Sequence, residues 1–91
     1  MYVITNYTKT KAKSLGVIVK LSTKKGKKLD VFKDNKLIAS VGALGYYDYP
    51  TYQKLYGLDY ANKRRKLYKI RHNSDRKVLG SNGYWADQLL W

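Results

Sequence analysis

Between Val17 and Val41 the side chains alternate in three successive runs, and this commits the middle of the chain to β-structure. In Val17–Ser22 the residues Val17, Val19 and Leu21 share a face. In Lys28–Lys33 Leu29 and Val31 do so, and in Lys36–Val41 Leu37, Ala39 and Val41 do. The opposite faces mix Lys20, Lys28 and Lys36 with Ile18, Asp30, Phe32 and Ile38. Thr23–Lys27 (TKKGK) reads as a basic loop. Asp34-Asn35 reads as a two-residue hairpin turn, because both residue types accept left-handed backbone. A three-stranded antiparallel meander follows, with an apolar face that needs covering.

Helices must supply the cover. Met1–Tyr7 is β-branched and aromatic and reads as a short strand or extended lead-in. Thr8 is placed to N-cap a brief helix, KTKAKSL, that stops at Gly16. Gly42–Pro50 is a glycine- and tyrosine-rich connection, and Pro50 suits the first turn of a helix over Thr51–Tyr56, closed by Gly57. Leu58–Arg76 reads as one long basic helix with a short exit, and Ser74–Gly83 as loop. Tyr84–Trp91 reads as a terminal helix with Trp85 and Leu89 paired at i,i+4, docking back on the core. The expected fold is α+β, in a single compact domain over residues 1–91. Its small three-stranded antiparallel sheet is packed by the long basic helix, which crosses the apolar face, and by the C-terminal helix.

On a helical wheel Tyr60, Ala61, Leu67, Tyr68 and Ile70 gather on one side of the long helix. Asn62, Lys66, Lys69 and Asn73 lie opposite, with Lys63 and Arg65 on the flanks. Arg64 and Arg71 fall inside the apolar arc, where a guanidinium must either find an anion or snorkel outward. The expectation is a pair of structural salt bridges to Asp48, Asp59, Asp75, Asp87 or the terminal carboxylate of Trp91, because buried charges need pairing.

Charge sets the class of partner. Nineteen Lys and Arg face six Asp and no Glu, and the net +13 attracts polyanions. Nucleic acid, an anionic membrane surface and an acidic protein surface are the candidates. The candidate nucleic-acid contacts are Lys24, Lys25, Lys27 and Lys28 of the loop, with Asn62, Lys63, Arg65, Lys66 and Lys69 of the helix. Lys and Arg there would meet phosphates and Asn could read a base edge. The alternative is a solvated Lys-rich face. Tyr46, Tyr47, Tyr49, Tyr52 and Tyr56 form a dense cluster, either a small aromatic core around Pro50 or a set of stacking rings.

The means for catalysis are sparse. There is no Cys, one His and no Gly-rich phosphate cradle, so thiolate, zinc and nucleotide-loop chemistries lack their residues. Asp34-x-Lys36 and Asp75-x-Lys77 resemble nuclease fragments, but no region gathers the carboxylates of a two-metal site. The expectation is a non-enzyme without a cofactor. No apolar run reaches membrane-spanning length and no secretory start is present, so an intracellular or particle-packaged protein is expected, of undetermined oligomeric state.

Five stretches carry a resemblance: MYVITNYTKTKAKSLGV, KKGKKLDVFKDNKLIASVGALGY, DYPTY, YANKRRKLYKIRH and GSNGYWADQLLW. Together the chain resembles a family of small basic uncharacterised proteins encoded by large DNA viruses of the giant-virus type. The resemblance implies a viral origin, a place in the cytoplasm or nucleus of the infected host or in the virion, and DNA ahead of RNA as partner. It carries over no catalytic residue and no ligand. The expected function is a non-enzymatic basic nucleic-acid-binding protein. The alternative is a minor structural protein of a virion that bridges other proteins, and a small nuclease is a distant third.

Overall fold

Asp34 and Asn35 both adopt left-handed backbone, with φ of 51° and 64°, and close the hairpin that the sequence predicts. They join strands β2 (Lys27–Lys33) and β3 (Lys36–Ala43), and β1 (Ile18–Leu21) adds antiparallel to β2, giving the order β1-β2-β3. The computed structural model describes residues 2–91, so Met1 lies outside the described residues. Around the sheet stand α1 (Asn6–Leu15), α2 (Tyr49–Tyr56), α3 (Leu58–Arg71) and α4 (Asn82–Leu90). The architecture is α+β, as expected.

Leu29 pairs with Val41 and Val31 with Ala39, and all four are buried. α1 and α4 cover this face through Ala12, Trp85, Leu89 and Leu90, which complete the core with Val17. A fully buried Leu such as Leu89 is worth roughly 1.5–3 kcal/mol over its exposed state. The strict alternation expected in β3 fails at one place. A bulge beside Val31 shifts the register, so that Phe32 pairs with Leu37, and Leu37 turns out to solvent.

The lead-in is shorter than its β-branched composition suggests. α1 begins at Asn6, and the N-cap is Thr5, whose Oγ1 accepts from the Thr8 amide at 3.2 Å. Thr8, expected as the cap, is instead buried in the helix and donates its hydroxyl to the Leu89 carbonyl at 2.8 Å, which ties α1 to α4. Gly16 ends α1 as expected, donating to the carbonyls of Ala12 and Lys13.

The second face of β2 is also buried, and its polar groups are satisfied in two places. Asp30 accepts from Ser22 Oγ at 2.6 Å, Ser40 Oγ at 2.7 Å and the Thr23 amide at 3.2 Å, linking all three strands. The Ser22 bond, with those of Ser40 and Thr23, holds this carboxyl below the usual carboxylate range against the opposing effect of burial. Lys28 Nζ lies 3.1 Å from Asp48 Oδ2, and Tyr2 Oη donates to the same oxygen at 2.8 Å. Burial and the Asp48 charge hold the Tyr2 hydroxyl protonated far above its ordinary range.

The long helix does not cross the sheet. α3 packs on α2, turning back at Gly57, while the sheet is left to α1 and α4. The stripe of α3 turned to the body is Ala61, Arg65, Tyr68 and Lys69, spaced i, i+4, i+7 and i+8. Only two of these are apolar. Tyr60 and Leu67, expected to face the sheet, are exposed, as is Ile70 of the same apolar arc. The inward direction is therefore about a quarter-turn from the centre of the apolar arc. Tyr and the stems of Lys and Arg bury well enough to override a weak Leu/Ile stripe.

Candidate functional site

Four contacts fix the rotation of α3. Tyr68 lies flat on Trp91 with ring centres 4.3 Å apart and planes 7° from parallel. Lys69 Nζ meets Asp87 Oδ1 at 2.9 Å, joining α3 to α4. Arg65 lies over the buried Tyr49 ring at 3.7 Å, and the Tyr49 hydroxyl donates to Asn62 Oδ1 at 2.9 Å. These are structural attachments, and they overturn part of the expected contact set. Lys69, Arg65 and Asn62 hold the fold together, and Lys28 is buried against Asp48. Lys24, Lys25, Lys63 and Lys66 do stand in solvent, as the outward reading requires.

The two arginines chosen as salt-bridge candidates behave in the opposite way. Among the described residues neither Arg64 nor Arg71 meets a carboxylate. Of the partners expected for them, Asp48, Asp87 and Asp75 are already taken by Lys28, Lys69 and His72. Arg64 instead rests over the Tyr52 ring at 5.1 Å, a cation–π contact that costs no carboxylate. Arg71 is exposed.

Both arginines line a cleft of about 610 Å³. One wall is the end of the β2–β3 ladder with Lys27, Lys28 and Gly42, and the facing wall is α2 and α3 with Tyr52, Arg64, Tyr68 and Arg71. Trp91 and one side of α4 from Asn82 to Leu90 complete the lining with His72 and Asp75, and the exposed Tyr46 and Tyr47 border it. The tyrosine cluster thus divides. Tyr49 is core, Tyr52 lies in the cleft wall, and Tyr46, Tyr47 and Tyr56 are exposed. Burial first, and then the charges of Asp87 and Asp75, push the Tyr68 hydroxyl up to about 12, so it stays a hydrogen-bond donor at neutral pH.

No family model, curated protein or solved structure matches this chain. Loop and helix cations do converge, but through Lys27, Arg64 and Arg71, not through the outer helix face. The i,i+7 spacing of Arg64 and Arg71 was the available signal. Sequence alone could not show that Asp48, Asp75 and Asp87 are paired elsewhere. His72 Nδ1 lies 3.2 Å from Asp75 Oδ2 at the cleft. Among the described residues no side chain bonds its other ring nitrogen. Nor do three metal-ligating side chains gather anywhere among the described residues, and no helix is long and apolar enough to cross a membrane. The arrangement suits binding an anion beside an aromatic surface.

Proposed function

We propose that this protein is a non-enzymatic nucleic-acid-binding protein of viral origin, acting in the infected cell or inside the particle, with DNA ahead of RNA. One observation carries the reading: most of the positive charge is left without an acidic partner inside the fold. Seventeen of the nineteen Lys and Arg side chains make no ion pair with a described residue. Lys24, Lys25, Lys63 and Lys66 supply outer phosphate contacts, and Arg64 and Arg71 supply further ones at the cleft.

Fluorescence anisotropy of a labelled oligonucleotide tests this. With about six phosphate contacts, affinity drops roughly 10³-fold between about 50 and 200 mM salt. Changing Lys24, Lys25, Lys63 and Lys66 together to Ala weakens binding to all sequences alike and flattens the salt slope. Salt-independent binding, or none at low salt, contradicts the proposal.

The second reading, a minor structural protein that bridges other virion proteins, rests on Leu55, Tyr56, Leu67 and Ile70, which the α2–α3 hairpin leaves exposed. Such a protein keeps its partner at salt concentrations that release nucleic acid, and the same titration separates the two.

A further inference from the structure

We propose that the cleft between the β2–β3 ladder, the α2–α3 hairpin and α4 takes unpaired nucleotides, so that this protein prefers single-stranded to duplex nucleic acid. This rests on the nucleic-acid reading above and adds the form of the partner.

The charge comes first. Arg64 and Arg71 lie two turns apart on α3, about 10 Å along the axis, and Lys27 approaches from the start of β2. None of the three has a carboxylate partner among the described residues. Arg64 is held over Tyr52, so its planar fork is partly ordered before any ligand arrives. A row of unpaired cations along a groove tracks a phosphate backbone.

The aromatic rings decide which form of nucleic acid fits. Tyr46 is 76% exposed and Tyr47 is 48% exposed at the rim, with Tyr52 and Trp91 further in. Base–aromatic stacking needs a free base face, and a duplex offers none without extruding a nucleotide. The cleft volume of about 610 Å³ falls among sites that enclose small organic ligands, the size class of a nucleotide. The duplex-reading alternative loses its best residue, because the Asn62 carbonyl expected at a base edge is occupied by the Tyr49 hydroxyl.

The test compares a labelled oligothymidylate with a duplex of the same length, at one salt concentration, on the full chain. The wild type binds the single strand about ten-fold more tightly, the effect of stacking one or two bases. Arg64→Ala with Arg71→Ala removes most single-strand affinity and abolishes the preference. Lys63→Ala with Lys66→Ala weakens both forms equally. Tyr46→Ala, at an exposed ring, tests stacking without risk to the fold and lowers single-strand affinity about five-fold. Equal or tighter duplex binding, or a preference unchanged in both the arginine and Tyr46 variants, overturns the cleft proposal and leaves the nucleic-acid reading standing. Failure of the wild type to bind either form at low salt overturns both.

Discussion

Asp48→Ala destabilises the protein by about 4 kcal/mol, the cost of breaking a buried ion pair together with loss of a helix cap. Asp48 is the polar hub of the fold. Its Oδ2 accepts from Lys28 and Tyr2, and its Oδ1 caps α2 by accepting from the Thr51 amide at 3.1 Å and the Thr51 hydroxyl at 2.6 Å. With the carboxylate gone, the Lys28 amine is left at only 4% exposure without its partner. A domain of this size has a total stability of about 5–14 kcal/mol, so the loss is a large part of it. Asp48→Asn keeps the cap and costs less. Lys28→Met exchanges a charged group for an apolar one of similar length and leaves Asp48 with three of its four donors, so it is milder again. Urea denaturation of the three variants checks this order. An Asp48→Ala loss below about 1 kcal/mol contradicts the hub role.

Gly42→Ala is the second large effect, at about 3 kcal/mol from left-handed backbone strain and overpacking combined. Gly42 has φ of 82°, and a Cβ there would stand 2.8 Å from Leu90 Cδ1 and 3.0 Å from both Cβ and Cδ of Lys28. Neither neighbour can yield. Leu90 is buried in the core, and Lys28 is fixed by Asp48. The substitution pushes the last turn of α4 away from the sheet and distorts the α4 side of the cleft. Gly26→Ala is the control, since Gly26 has φ of 80° but open space around its added Cβ. It carries the backbone term alone, about 1–2 kcal/mol. Chemical denaturation separates the two, and equal losses would show that packing against Leu90 and Lys28 adds nothing.

The sheet and the candidate cleft differ in how far they are legible in the sequence. Three alternating runs and Asp34-Asn35 were enough for the sheet, because period-two burial and a left-handed turn are local properties. The caps at Gly16 and the start near Pro50 were local too. Leu37 escaped because a bulge is invisible to strict alternation. The rotation of α3 escaped for a deeper reason. Its inner stripe is set by Lys69 reaching Asp87, Arg65 lying on Tyr49 and Tyr68 stacking on Trp91. Each of these joins residues distant in sequence, and none leaves a periodic trace. Arg64 and Arg71 stand out in the sequence, but their role turns on which acids are free, and the salt bridges expected for them do not form. That depends on long-range pairings such as Lys28 with Asp48.

In the binding mode we propose, nucleic acid meets Arg64 and Arg71 in the cleft in addition to the outer lysines Lys63 and Lys66. Nitrogen–proton correlation spectra of isotope-labelled protein, titrated with a short oligothymidylate, test it most directly. The largest shifts are expected at the Arg64 and Arg71 side-chain Nε–H groups, the Lys27 amide and the Trp91 indole. Shifts confined to Asn62, Lys63 and Lys66, with the cleft unmoved, would contradict it.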